Sequence, residues 1–418
     1  MNKIVFSKNR KRLMEKLPNN SLVVLFAGKA PKKSADENYQ FTPNRNFYYF
    51  TGIDEEEHII LISKINNDVK EILFLKEIDE ERERWVGKTL RDYEAKEISN
   101  VSDIRYMNEF KNEINKLFVN SENLILYLDL ENDDYDGLCT SVQSFAQEIN
   151  KKYPNVWIKN LRPTIKDLRL VKSDEEIEEI KKAIEITIEG VESIMKNVKP
   201  NMKEYQAESY FEFACRNRGI KDYAFKTIAA SGKNATILHY VDNNSTIKDG
   251  DLVLFDLGAQ NNYYNADITR TFPANGKFTE RQKEVYNAVL RVNEKVIKEI
   301  KPGVKYKELN LKAKDWIAEE CIKLGLIKDK KDVSKYYWHS IGHSLGLDTH
   351  DIDSENRDTI FKEGMVWTVE PGIYIEEESI GIRIEDDVLV TSNGADILTK
   401  NMIKCIQDIE NFMNNKEN

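Results

Sequence analysis

Four things are scarce in this chain: histidine (five of 418 residues), cysteine (four), long apolar runs and net positive charge. No apolar stretch approaches the roughly 20 residues a membrane-crossing helix needs, the longest being of the kind Leu22 to Ala27 and His58 to Ile62. Lys and Arg number 62 against 72 Asp and Glu, a net charge of -10. That balance lacks the basic surface which nucleic acids and anionic membranes require. Cys139, Cys215, Cys321 and Cys405 lie far apart and form no CxxC pair, which excludes a disulfide framework or zinc knuckle. They read as reduced core thiols in a cytoplasmic protein. Met1 to Lys16 alternates basic and apolar residues without the apolar core of a signal peptide, so secretion is not expected. No tandem short repeat is present, and no low-complexity segment is longer than the polar tail 411–418, which is expected to fray.

What is present fits a globular protein: 40% hydrophobic and 32% charged residues, in a length that suggests two or three domains at about 150 residues each. The first 170 residues mix strand-like runs (Leu22 to Phe26, Phe47 to Phe50, Ile59 to Ile62, Ile72 to Leu75, Leu124 to Leu128) with a helix over Ser141 to Lys151, the pattern of an α/β domain. A break follows at Leu161 to Lys172. Ser173 and Glu176 then form a capping box ahead of Ile177, Ile180, Ile184 and Val191 at helical spacing, so a second domain is expected over 173–418 after a first over 1–172. Strands at Leu252 to Asp256 and Ala266 to Phe272 precede a helix capped by Thr279 and Gln282, with Val285, Val289, Val292 and Val296 on its apolar face. Pro302 and Gly303 end that helix. A third helix is expected over Tyr306 to Leu324, and strands return at Met365 to Val369 and Gly381 to Val390.

Four of the five histidines, His239, His339, His343 and His350, fall in the second domain, three of them within twelve residues. A lone histidine is ordinarily a core or surface residue, and His58 reads that way; a cluster does not. Placing a tight turn at Asn261 and Asn262 makes Asp256 and Asp267 direct cross-strand partners with Cβ atoms roughly 5 Å apart. At an effective dielectric of about 20 the two charges repel by about 3 kcal/mol. Such a pair needs a cation or a shared proton, and Asp256→Asn in a metal-free protein is expected to relieve the strain; the plainer reading is two strand-end aspartates in another register. Glu370 and Glu385 likewise close apolar or β-branched strands, and Asp386 and Asp387 follow. Four carboxylates balance two divalent cations, one imidazole completes an oxygen-rich shell of the kind that favours manganese, and paired ions of this type serve amide hydrolysis.

Gly342-His343-Ser344-Leu345-Gly346 matches the GxSxG nucleophile elbow, with Asp348 and His350 in the usual order. Only six residues separate Ser344 from His350, however, and that triad would leave four carboxylates unexplained. His339 and His343 have the i, i+4 spacing of a zincin pair, but Ser340 stands where its glutamate belongs and the neighbouring glycines argue against a helix. Gly87-Lys88-Thr89 resembles the end of a phosphate loop, yet Arg82 replaces the required glycine.

Ile237-Leu238-His239-Tyr240, the run Asp256 to Phe272, His339 to Asp351, Glu370-Pro371-Gly372 and Gly381 to Asp386 together resemble, in order and spacing, the metal-dependent pita-bread peptidases, and within them the aminopeptidase P (Xaa-Pro aminopeptidase) group. Ala35-Asp36, Asn44 to Gly52 and Trp85-Val86-Gly87 resemble that group's N-terminal domain, so the likeness spans nearly the whole chain. The resemblance implies an α/β N-terminal domain that serves oligomerisation and substrate access, and an α+β C-terminal pita-bread catalytic domain. It implies Asp256, Asp267, His343, Glu370 and Glu385 as ligands of two metal ions, usually manganese, bridged by Asp267 and Glu385. Glu370 would accept a proton from the bridging water that attacks the Xaa-Pro amide. His239 and His350 would contact the substrate and the oxyanion, His339 would shape the proline pocket, and Arg383 would steady the carboxylates. Trp85 would reach over a neighbouring subunit's site in a homodimer or homotetramer; it reads equally as a packing or surface tryptophan. Two departures are visible: Ser340 in place of a common glycine, and a short Glu376 to Ile380 segment. The expected substrates are peptides with proline second. An Xaa-Pro dipeptidase, a Ser344 hydrolase and a non-catalytic pita-bread binding protein are the competing readings.

Overall fold

Local capping and apolar runs set the elements, and burial decides which of them pair. The computed structural model describes residues 3–121, 123–131, 137, 139–352 and 358–415, in two compact units, Met1–Leu168 and Arg169–Asn418.

In the first unit the strand Ser21–Phe26 is apolar on both faces, and a strand with no polar face must be covered on both sides. It sits inside a six-stranded mixed sheet, antiparallel to Ile59–Ile65 and parallel to Ile125–Leu128. Asp68–Leu75 and Asp103–Tyr106 extend the sheet on one side and Trp157–Asn160 on the other. Leu22, Val24, Leu61 and Phe74 pack with Phe110, Ile114 and Phe118 of the helix Met107–Asn120. Arg10, fully buried on the helix Lys3–Lys16, donates to the Phe50 and Ser99 carbonyls at 2.7 and 3.0 Å. Two buried polar residues, Asn9 and Arg10, blur the helical period of that segment, which is why its pattern reads as mere alternation.

Phe47 to Phe50, expected as a strand, is helix Arg45–Thr51. The Asn44 side chain accepts from the Asn46 and Phe47 amides, and Gly52 closes the helix at φ 71°. Caps outrank aromatic β-propensity here because the tetrad has no alternation to exploit. The expected break 161–172 contains the helix Arg162–Leu170. Arg169 and Lys172 group with the second unit because both pair with Asp351 there.

The second unit has two similar halves. In each, a helix with a complete capping box lies on small antiparallel sheets. Asp174–Asn197, capped by Ser173 and Glu176, accompanies the sheet of Ile228–Ser231, Leu252–Leu257 and Ile268–Pro273. Glu280–Glu299, capped by Thr279 and Gln282, accompanies Val366–Val369, Asp386–Val390 and Ala395–Ile397, with the hairpin Gly372–Ile375 and Ile380–Arg383 beside them. The strand expected over 381–390 is thus two strands, broken at Ile384 and Glu385, so that it crosses from one sheet to another. The helix Tyr306–Lys323 packs on Glu280–Glu299.

Three further expectations are corrected. The turn is centred on Asn262 and Tyr263, both at positive φ, so Gln260 pairs with Asn265 and Asp256 faces Thr269. The register differs by two residues from the expected one, which keeps Asp256 and Asp267 on one face but makes them diagonal. The amide side chains of Asn261 and Asn262 both donate to Glu179 Oε2, at 2.6 and 2.8 Å, a tertiary contact that selects this turn. The tail is ordered through the helix Ile406–Asn414, with Met413 buried; residues 416–418 lie outside the described residues. Only Cys215 and Cys321 are core thiols, while Cys139 and Cys405 are exposed.

Helix Asp174–Asn197 meets helix Glu204–Asn217 at Gly190, where an added Cβ would lie 2.3 Å from the Phe211 ring. Gly190→Ala gains about 1 kcal/mol of helix propensity. Phe211 is fully buried and has nowhere to move, so overpacking outweighs that gain and leaves a net loss of about 1–2 kcal/mol. Denaturant unfolding reads the difference, and an unchanged or raised midpoint would contradict the close packing.

Candidate metal centre

The two halves of the second unit each bring a pair of acidic residues to the same place. Asp256 is the penultimate residue of the strand 252–257 and Asp267 precedes the strand 268–273; Glu370 follows 366–369, and Glu385 lies between the strands 380–383 and 386–390. All four line one cavity of about 960 Å³, together with His239, His339, His343, His350 and Arg383. Trp85 belongs to the other unit, where it is 85% exposed.

His343 arrives from an irregular segment laid along the strand 366–369. Its amide donates to Thr368 Oγ1 at 3.1 Å and its carbonyl accepts from the Thr368 amide at 2.9 Å. Gly342 permits this approach: a Cβ there would lie 1.9 Å from the Thr368 carbonyl oxygen. The imidazole Nε2 then lies 3.4 Å from Asp267 Oδ2 and 3.6 Å from Glu370 Oε1. The His350 ring stands 4.1 Å away, centroid to centroid. Asp267, His343 and Glu385 each present a ligating atom within 4.8 Å of the others.

The electrostatics are those of a site short of positive charge. Burial, then the neighbouring Asp256, Asp387 and Glu370, push the Asp267 carboxyl well above the usual range. Burial, then Asp267, Glu370 and Asp256, do the same to Glu385. Glu370 is also raised, chiefly by burial, with His343 and Arg383 opposing. Asp256 Oδ1 is buried with no hydrogen-bond partner among the described residues. Hard oxygen donors, one imidazole and an unsatisfied carboxylate oxygen are the donor set that divalent cations fit. Burial lowers His339 to about 3, with Arg383 adding to it, and burial with His343 and His239 lowers His350 to about 4, so both are neutral at physiological pH.

A ring of residues holds the carboxylates in place. Arg383 is buried and donates to Asp256 Oδ2 at 2.5 Å, to Thr269 Oγ1 at 3.0 Å and to the Tyr374 hydroxyl at 3.2 Å. Thr269 in turn donates to Glu385 Oε2 at 2.7 Å. The Tyr374 hydroxyl pairs with His339 Nε2 at 2.9 Å. Arg270 donates to the Glu385 carbonyl and to Asp386 Oδ1, and Lys404 donates to Asp386 Oδ2. Asp387 Oδ2 accepts the Asp267 amide at 3.2 Å. Sequence reasoning left Thr269, Arg270, Tyr374, Asp387 and Lys404 without a role. Only the paired Asp386 and Asp387, charged residues on both faces of one strand, carried a readable signal.

Ser344 is not a nucleophile. It is fully buried, it is absent from the cavity lining, and its hydroxyl donates to the Asp351 and Ile352 carbonyls at 3.0 Å each. Asp348 pairs with Arg169. Asp351 is the anchor of the His343 to His350 segment, held by Arg169 at 2.5 Å and Lys172 at 3.0 Å, all three buried.

The Arg383 contact reverses one expectation. Asp256→Asn does not simply relieve repulsion, because it strips a buried guanidinium of its carboxylate. In chelator-treated protein Asp256→Asn is expected to lose about 1–3 kcal/mol, whereas Asp267→Asn, whose three carboxylate neighbours outweigh the more weakly felt Arg383, gains about 1 kcal/mol. Urea midpoints of the two variants against the parent test this; an equal sign for both would defeat it. Burial alone would raise the Asp351 carboxyl, but Arg169 and Lys172 outweigh it and hold the group below its usual 3.8. Its stabilising contribution is therefore complete above about pH 5 and is lost as pH falls below about 4, through the folded-state value. Asp351→Asn should cost about 3–5 kcal/mol at pH 7, with the gap to the parent narrowing steadily as pH falls below about 4. A pH-independent gap would refute the charge argument.

The sequence pattern of metallopeptidase family M24 matches residues 178–392, and that of the aminopeptidase P N-terminal domain matches residues 6–127. The Xaa-Pro aminopeptidase of Haemophilus influenzae is 34% identical, across 98% of this chain and 97% of that protein. Among solved structures, a Bacillus anthracis protein provisionally named aminopeptidase P superposes with a TM-score of 0.96 at 49% identity, covering 99% of this chain and 98% of the other. Escherichia coli aminopeptidase P with the inhibitor Pro-Leu does so at 0.90 and 32%, with the same coverage. The two halves described above are the pita-bread fold, its catalytic unit follows an aminopeptidase P type N-terminal domain, and the chain belongs to metallopeptidase family M24, the hydrolases whose Xaa-Pro aminopeptidases it matches from end to end.

Proposed function

We propose that this chain is a dinuclear Xaa-Pro aminopeptidase that releases the first residue from peptides whose second residue is proline. The observation that carries this reading is the convergence of four carboxylates and His343 on one cavity, where burial and mutual repulsion leave an uncompensated negative charge. Asp256, Asp267, His343, Glu370 and Glu385 would hold two divalent ions. The oxygen-rich set favours manganese. When bound, the ions acidify water and polarise the scissile carbonyl.

The remaining chemistry belongs to side chains of this chain. Glu370 is at the cavity wall with a raised carboxyl, suited to accepting a proton from the attacking water and passing it to the leaving nitrogen. Like any amide nitrogen, the prolyl nitrogen must take up a proton to leave as an amine, and the one Glu370 accepted from the water balances that step. His239 and His350 line the same cavity, His350 as a neutral imidazole that donates to the substrate carbonyl as it gains charge. His339, fixed by Tyr374, shapes the pocket for the proline ring. Arg383 holds Asp256 and, through Thr269, Glu385.

An Xaa-Pro dipeptidase would need a fixed cation beside the proline carboxylate. Arg383, the buried cation of the lining, is committed to Asp256, and the other, Lys226, is exposed. The aminopeptidase reading is therefore preferred. The N-terminal unit would serve oligomerisation and substrate access, as a homodimer or homotetramer, with the exposed Trp85 capping a neighbouring subunit's site. Among the described residues the four cysteines are unpaired and no helix is long and apolar enough to cross a membrane; a cytoplasmic location is consistent with both.

The test is a panel of Xaa-Pro dipeptides and Xaa-Pro-Yaa tripeptides assayed with chelator and with manganese or zinc restored. Cleavage of tripeptides at the Xaa-Pro bond, lost on chelation and regained with metal, is expected. His343→Ala should bind metal at least about tenfold more weakly and lose nearly all turnover while staying folded. Full activity of that variant, or activity on dipeptides alone, would overturn the reading.

A further inference from the structure

Glu204 is a fully buried carboxylate at the first turn of the helix Glu204–Asn217, outside the metal centre. A buried carboxylate is costly unless its lone pairs are filled, and here five donors fill them. Oε1 accepts from the Ser231 amide (2.8 Å), the Ser231 hydroxyl (2.7 Å) and Asn234 Nδ2 (3.0 Å). Oε2 accepts from the Tyr240 hydroxyl (2.8 Å) and the Ser245 amide (2.9 Å). One turn later, Glu208 accepts from Asn243 Nδ2 at 2.9 Å. All these donors lie on the chain 231–245.

That chain carries His239. Residues 237–244 have no regular secondary structure; the Tyr205 and Glu204 amides donate to the Asn243 and Ser245 carbonyls at 2.8 and 3.0 Å at the far end of the segment, and side-chain bonds supply most of the remaining order around His239. Tyr240 packs its ring against Ile228, Ala230, Ala235 and Leu254, while Leu238, His239 and Val241 line the cavity. Anchors to one carboxylate therefore stand five residues before His239, directly after it and six residues after it. We propose that Glu204 is the positioning residue for His239, fixing the stretch of cavity lining that carries it and hence the placement of the peptide substrate. This rests on the aminopeptidase reading for what His239 contacts; that Glu204 orders the loop does not.

A carboxylate is required because both oxygens must accept. Glu204→Gln presents an amide nitrogen either to the Ser231 and Asn234 side or to the Tyr240 and Ser245 side, and so unpairs one of them. Tyr240→Phe is the milder variant, removing one bond and keeping the ring packing. In otherwise native enzyme loaded with metal, Glu204→Gln should lower kcat/KM for a tripeptide with proline second by roughly ten- to a hundredfold. Tyr240→Phe should lower it less, and metal content should not change in either. In a His239→Ala background the same substitutions should change kcat/KM by less than about twofold, since the group they position is gone. An equal loss in both backgrounds, or no loss in the parent, would overturn the proposal. Amide hydrogen exchange over 237–246 supplies a readout independent of turnover, and both variants should raise it there and not in the segment 339–350. Unaltered exchange would overturn the proposal even if the parent cleaves no Xaa-Pro peptide, a result that would instead reject the aminopeptidase reading.

Discussion

The structure depends on keeping like charges together in a place with little water. Asp256, Asp267, Glu370 and Glu385 line one cavity, and burial raises the cost of each charge that the others already oppose. Such a cluster survives only if the surrounding fold is stiff enough to hold it and supplies partial compensation. Here compensation comes from Arg383, and stiffness comes from strands that end at the cluster rather than loops that wander into it. What remains is negative charge that divalent cations would neutralise, and a cluster of perturbed carboxyls in a cavity is the usual mark of a functional site.

Around this centre the protein uses buried ion pairs as fasteners with separate duties. Arg270 and Lys404 hold Asp386 from two sides, which fixes the strand that begins directly after Glu385. Arg169 and Lys172 hold Asp351 and thereby the segment bearing His343 and His350. Glu204 does the same for the His239 loop with uncharged donors. Each fastener leaves few groups unsatisfied, which is the condition under which buried charge specifies a structure rather than destabilises it.

The legible part of the fold was its local part. Capping boxes at Ser173 and Thr279 marked the two long helices of the second unit because a cap depends on residues three apart and on nothing distant. The aromatic run Phe47 to Phe50 misled, since its strand propensity was weaker than the caps Asn44 and Gly52 flanking it. The turn between the two aspartates was misplaced by one residue because Asn261 and Asn262 suit a turn equally well, and their choice is made by Glu179 some eighty residues earlier.

For the centre itself, residue type and order along the chain were enough to pick out acidic strand ends and a histidine cluster, since a carboxylate closing an apolar strand is already anomalous in one dimension. The sequence by itself thus determined the helices with their caps and which groups had to be brought together. Tertiary structure alone decided how they were held: that Arg383 sits on Asp256, that Thr269 bridges Arg383 to Glu385, and that Ser344 faces carbonyls instead of the cavity. Those contacts join residues more than a hundred positions apart or turn on which way a side chain faces. Neither periodicity nor spacing encodes such relations, because they exist only once the two halves have packed.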